Sequence, residues 1–193
     1  MKWSKLAIIL ASALASWPAL AQTVRAPFAV SDYFAPAGWM GDGSRGAPLI
    51  KIDGDYTGKP RPGDQDGKCM RISWEPRTSS WVGLYWQAPA GNWGSAPGIS
   101  VVGATKVSFW AAGETGSEIV QFRAGGLHTA SMPYKDTFEA SSGARRLTTA
   151  WRRYEMNLRG QNLTSVIGGF SWMIRKADNM GTVTFYLDDI RYE

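Results

Sequence analysis

Short runs of alternating apolar and polar residues, closed by glycine, constrain this chain more than any other feature. In Lys68 to Trp74, Met70, Ile72 and Trp74 share one side of an extended backbone. In Trp81 to Gln87, Val82, Leu84 and Trp86 share one side, and Trp81, Gly83, Tyr85 and Gln87 share the other, because strand side chains repeat every second residue. The same period runs through Thr105 to Ala112, Glu118 to Arg123 and Thr149 to Leu158, and Gly169 to Arg175 and Thr182 to Arg191 read as the last two strands. Helical periodicity of useful length is missing after the N-terminal segment. The pattern predicts an all-β, antiparallel β-sandwich of about eight or more strands in one domain. Between the strands, Val30 to Gly46 starts as a strand and turns into a glycine-rich loop. Ile50 to Gly67 reads as a long loop, Tyr134 to Arg146 as a polar connection, and Asn162 to Ile167 as one helical turn.

The first 21 residues read as a targeting segment. Lys2 and Lys5 precede the apolar run Leu6 to Leu14, and Ala19-Leu20-Ala21 has the small-x-small form of a cleavage site. The run is too short to anchor in a bilayer, so the expectation is a secreted or periplasmic protein without a transmembrane anchor. Residues 22–29 read as a leader and 30–193 as the folded domain. Without Lys2 and Lys5 the chain carries 19 basic and 16 acidic residues, a formal charge of +3. The basic residues form no stripe, which argues against nucleic acid as a partner. One cysteine, Cys69, and one histidine, His128, allow no internal disulfide and no common zinc cluster.

Trp81 to Gly94 holds Trp81, Tyr85, Trp86 and Trp93. Two readings stand: all four rings are core, or at least two of them belong to a ligand face. On the second reading, bare Gly83 leaves a shallow trough beside Tyr85. Trp93 lies on a loop between Gly91 and Gly94, where burying an indole is harder. Flat electron-rich rings stack on the apolar C–H faces of pyranoses. Trp39, Tyr85, Trp93 and Trp172 are the rings least forced into a core. Asp42, Asn92 and Glu118, with Gln87 and Arg123, are the candidate polar rim. No catalytic set stands out: Glu118, Asp136 and Glu139 are available carboxylates without a diagnostic spacing, and no nucleophile elbow is present. Asp53, Asp55, Thr57, Gly58 and Asp64 have EF-hand spacing, but Pro60 and Pro62 interrupt it and no helices flank it.

Phe185-Tyr-Leu-Asp-Asp-Ile resembles the last strand of galactose-binding-like jelly rolls, a superfamily with many carbohydrate-binding modules. Asp32-Tyr-Phe, Gly38-Trp-Met-Gly-Asp42, Gly83-Leu-Tyr-Trp-Gln, Asn92-Trp-Gly94, Phe109-Trp-Ala and Gly168-Gly-Phe resemble patches in exported bacterial proteins of this type. The resemblance spans about Val30 to Glu193. It implies a jelly-roll sandwich and a structural calcium joining the first strand to the last. Asp188 or Asp189 would be the closing-strand ligand, with Asp32 as a partner. On strict alternation one of Asp188 and Asp189 faces an apolar side, which is costly for a carboxylate unless a cation or donor neutralises it.

The expected function is non-catalytic binding of a polysaccharide or oligosaccharide. The alternatives are a polysaccharide-active enzyme using Glu118 as one carboxylate, and a cell-surface structural or protein-interaction domain.

Overall fold

The computed structural model describes residues 22–42, 50–128 and 130–193. The targeting segment and residues 43–49 of the glycine-rich loop lie outside the described residues. The strands are β1 (Thr23–Arg25), β2 (Phe28–Ala29), β3 (Ala35–Gly41), β4 (Ile50–Tyr56), β5 (Cys69–Trp74), β6 (Trp81–Gln87) and β7 (Ser100–Val102). They continue with β8 (Lys106–Gly113), β9 (Ile119–Gly125), β10 (Glu139–Arg146), β11 (Arg152–Asn157), β12 (Gly168–Arg175) and β13 (Val183–Tyr192). The only helical pieces among the described residues are 3-10 turns at Val30–Asp32 and Lys176–Asp178. None of these is long and apolar enough to cross a membrane.

Two antiparallel sheets make a jelly-roll sandwich. One has the order β10-β9-β12-β6-β3, the other β11-β8-β13-β5-β4 with β2 paired to the end of β13. First and last segments therefore meet, Ala29 opposite Arg191. β1 pairs in parallel with β7, so residues 22–29 belong to the domain instead of forming a loose leader.

Alternation sorts the side chains as the sequence implies. Val82, Leu84 and Trp86 face inward from β6, as do Phe170 and Trp172 from β12. The facing rings interlock: Phe109 lies 4.6 Å from Phe122 and 5.1 Å from Phe170, and Trp172 lies 5.4 Å from Phe185. Edge-to-face and offset contacts of this kind add about 0.5–1.5 kcal/mol beyond burial.

Three segments differ from the sequence reading. β10 lies in the expected polar connection; it is an edge strand that buries only Ala140 and Ser142, so it carries almost no apolar signal. β4 lies in the expected long loop, is also an edge strand, and exposes Lys51, Asp53, Gly54 and Asp55. Residues 162–167 make no helical turn; Val166 instead bridges Ile99.

Gly83 faces outward, but the expected trough is filled. A Cβ there would stand 2.6 Å from the Trp172 carbonyl oxygen and 2.7 Å from the Met40 terminal methyl. The methionine can swing away and the backbone oxygen cannot. Gly83→Ala is expected to destabilise the fold by about 1–3 kcal/mol. The midpoint of urea unfolding measures this, and an unchanged midpoint contradicts the packing described.

Candidate functional site

The outer faces of the two sheets differ. On the six-stranded sheet, residues 57–68 fold back over an aromatic patch. Lys59 lies 5.0 Å from the centre of the Tyr186 ring, and the Arg61 guanidinium lies 5.2 Å from that of Trp110. Tyr56 stacks on Tyr186 at 5.6 Å, and the Tyr186 hydroxyl donates to Glu114. These rings already have partners.

The outer face of the five-stranded sheet is more open. Cross-strand register puts Gly38, Tyr85, Ser171, Arg123 and Ser141 in one row from β3 to β10. The next row is Met40, Gly83, Met173, Gln121 and Ala144. Arg123 pairs with Glu139 at 3.0 Å, while its Nε has no partner among the described residues. Gln121 bonds Ser141 at 3.1 Å. Trp93 closes one end of this face. Its ring stands edge-on to Tyr85, 6.1 Å away at 87°, and remains partly exposed. Tyr85 is itself buried, with its hydroxyl donating to the Gly125 carbonyl.

Asn92 shapes the loop that carries Trp93. Its Nδ2 donates to the carbonyls of Ala88 and Ala96, and its Oδ1 accepts from the amides of Gly94 and Ala96. Tyr134 N–H in turn donates to the Gly94 carbonyl, joining this loop to the segment after β9. Asp136 anchors that segment. Its carboxylate accepts from Leu127 N at 2.8 Å, Ile167 N at 2.5 Å and Gly168 N at 3.2 Å. Burial pushes the Asp136 carboxyl up to about 6, against the pull of these three donors.

Seven residues are the candidate ligand face from sequence, and the structure divides them. Tyr85 and Trp93 come together. Trp39 is 43% exposed on edge strand β3, beside Leu84 in register and therefore not in the Tyr85 row. Asp42, just past β3, is exposed and accepts from Ser80 N and Oγ at 2.6 and 2.5 Å. The other three require correction. Trp172 is fully buried between the sheets, because it lies on the inward side of β12. Asn92 is buried with its amide used by its own loop. Glu118 is buried, accepting from Thr115 N, Thr115 Oγ1 and Gly116 N at 2.7–2.9 Å. Burial alone would raise the Glu118 carboxyl, and these donors outweigh it and hold it below the usual range. Its carboxylate is thus taken up by the turn that precedes β9. Ser171 and Gln121 were legible as the polar side of their own strands; the role of Asp136 depends on contacts about 30 residues away in sequence and left no local signal.

The aspartates proposed for calcium are also placed. Asp32 lies on the 3-10 turn after β2 instead of on a strand, and accepts from Ala29 N at 3.0 Å. A register shift between Asp188 and Arg191, with Asp189 at φ 47°, breaks the alternation of β13. Such a bulge re-aims side chains, so neither carboxylate enters the core. Asp188 meets Arg61 at 2.6 Å, and exposed Asp189 lies 3.6 Å from Arg191. Burial pushes the Asp188 carboxyl up and the Arg61 pair pulls it back. Calcium takes six to eight oxygens, and no group of three acidic, histidine or cysteine side chains suited to a metal occurs among the described residues. As arranged, the three aspartates each meet a different partner: the Ala29 amide, Arg61 and Arg191. The EF-hand spacing is broken too: Asp53 lies in β4, and Asp64 accepts from Gly67 N.

Asp136→Ala is expected to destabilise by at least about 3 kcal/mol, since it strands buried amides. Glu139→Ala, which removes an exposed ion pair, is expected to cost less than about 1 kcal/mol. The folded Asp136 carboxyl titrates above its ordinary value of 3.8. The part of its contribution that depends on pH is therefore full below that value and is lost as pH rises through about 6. The stability advantage of wild type over Asp136→Asn should narrow across that range. Chemical denaturation at several pH values checks this, and a widening gap contradicts it.

No protein-family model and no curated protein matches the chain in sequence. Among solved structures it is similar to a family 30 carbohydrate-binding module, at 14% identity and a TM-score of 0.50, over 83% of this chain and 95% of that one. It is similar to the family 11 module from Clostridium thermocellum, in complex with a β-1,3-1,4-mixed-linked tetrasaccharide, at 16% identity and a TM-score of 0.47, over 80% and 86% of the two chains. A family 61 module in complex with β-1,4-galactotriose gives 14% identity and a TM-score of 0.47, over 84% and 92%. The chain thus has a jelly-roll β-sandwich of the kind found in carbohydrate-binding modules.

Proposed function

We propose that the protein is an exported, non-catalytic carbohydrate-binding domain that takes a polysaccharide or oligosaccharide on the outer face of its five-stranded sheet. One observation carries this reading: Trp93 stands edge-on to Tyr85, partly exposed, at the end of a polar face holding Arg123, Glu139, Gln121 and Ser141. The indole supplies a flat surface for a pyranose, and the arginine, glutamate and amide supply donors and acceptors for hydroxyl pairs. Two solved structures of this fold are complexes with β-linked oligosaccharides, and that class is the first to try. Export rests on the basic, apolar and small-residue segments before Gln22.

Calcium is a separate part of the proposal, and its cost is explicit: an ion on β13 has to take Asp188 from Arg61. It predicts that calcium raises the melting temperature and a chelator lowers it, since a ligand of the folded state stabilises it. An unchanged melting temperature in both removes calcium from the account.

The binding test is affinity electrophoresis against polysaccharides chosen from a glycan array, with reducing-end release measured in parallel. Retardation by at least one polymer without release is expected. Trp93→Ala should weaken that binding by roughly 1–3 kcal/mol, the scale of exposing a large side chain. It should destabilise less than Trp86→Ala, at about 3–5 kcal/mol for a core aromatic. Undiminished binding by folded Trp93→Ala overturns the site, and release of reducing ends overturns the non-catalytic reading.

A further inference from the structure

A second feature lies on the flank of the sandwich, away from the open face. β10 is the edge of one sheet and β11 the edge of the other. The chain crosses between them in the five residues 147–151. Buried Leu147 plugs the core at the crossing, and its N–H bonds the Glu118 carbonyl at 2.8 Å. So short a crossing brings the residues just before and just after it together.

Register fixes which way they face. Arg145 is opposite Val120, and Arg152 is opposite Ala111. Val120 and Ala111 are both fully buried core residues, so both arginines leave their strands on the core side and reach the open flank between the sheets. Two residues after Arg152, half-buried Tyr154 is held against the core, stacked on Phe109 at 5.6 Å and packed near Phe122 at 6.3 Å. Burial raises the Tyr154 hydroxyl, and the positive charges of Arg152 and Arg145 oppose the rise.

Neither arginine has a carboxylate partner among the described residues, whereas neighbouring Arg153 pairs with Glu193 at 2.7 Å and Lys106 with Glu155 at 2.7 Å. Charged edge strands guard a sheet against pairing with other chains. That reason suffices for Arg146, which points outward beside Ile119. It does not explain two arginines that leave the edge strands of opposite sheets toward one flank, beside the stacked ring of Tyr154.

We infer that Arg145, Arg152 and Tyr154 form an anion site, and that it takes the carboxylate or sulfate group of an acidic polysaccharide. Guanidinium groups present planar forks of donors that match these oxyanions, and the nearby phenol offers a neutral donor. The site does not depend on the open face binding sugar: a neutral glycan held there and an acidic group held on the flank are separate events.

The test uses affinity electrophoresis of the full domain with polygalacturonate, dextran sulfate and a neutral mixed-linkage β-glucan. The variants are Arg145→Gln/Arg152→Gln, and Arg25→Gln/Lys135→Gln as a control of equal charge. Wild type should be retarded by polygalacturonate, by dextran sulfate, or by both, which also tells which oxyanion is taken, and added salt should weaken the effect. The arginine pair variant should lose roughly tenfold or more in affinity, the scale of one charge-assisted hydrogen bond, with its melting temperature and any β-glucan binding unchanged. The control variant should bind as wild type does. Equal losses in both double variants reduce the effect to net charge and overturn the site, as does no retardation by either acidic polymer. Loss of β-glucan binding in Trp93→Ala with acidic binding kept bears on the open face alone.

Discussion

The layer of rings between the sheets is what the rest of the structure depends on. Phe109, Phe122, Phe170, Phe185 and Trp172 interlock and are fully buried. Once they occupy the inward positions, the two-residue period sends every alternate side chain outward. Tyr85, Arg123 and Ser171 sit on the outer face because Leu84, Phe122 and Trp172 sit on the inner one. Packing thus composes the candidate face, and the loops only finish its end.

The chain treats its two outer faces differently. On the six-stranded sheet it lays a segment with Lys59 and Arg61 over Tyr186 and Trp110, and the charge of Asp188 is met there by Arg61. Cation–aromatic contacts of this sort contribute about 0.5–2 kcal/mol each, so that surface is used for stability. On the five-stranded sheet Glu139 and Ser141 are exposed and Arg123 and Gln121 half-buried, while Tyr85 and Ser171 are buried and one end is built up. Asn92 and Asp136 spend their hydrogen bonds on backbone amides and carbonyls there, which fixes the loops around Trp93. This asymmetry is the physical reason for seeking the ligand on one face.

The inward side of each central strand was legible in the sequence, since alternation around Val82, Leu84 and Trp86 needs no tertiary knowledge. The edge strands were not, because β4 and β10 bury too little to alternate. Trp93 was legible as a loop indole next to Tyr85. Trp172 reads as free in the sequence, and only the pairing of Gly168–Arg175 with β6 puts it opposite Leu84 on the inward side. Asn92 and Glu118 look like rim residues in sequence, and only the backbone groups that curl around them make them structural. The Asp188-Asp189 pair raised a real conflict with the apolar pattern; a bulge resolved it, which no period-two reading anticipates.

The central claim is that glycan meets this protein at Trp93 over the five-stranded sheet. Two-dimensional NMR of the indole N–H groups during titration with a β-linked glucan oligosaccharide tests it most directly, because each tryptophan gives its own signal. The account predicts that the Trp93 indole signal shifts progressively while those of buried Trp74 and Trp172 stay in place. Shifts confined to Trp110 and Trp151, which lie beside Arg61 and Tyr186 on the outer side of the other sheet, with Trp93 unmoved would contradict it.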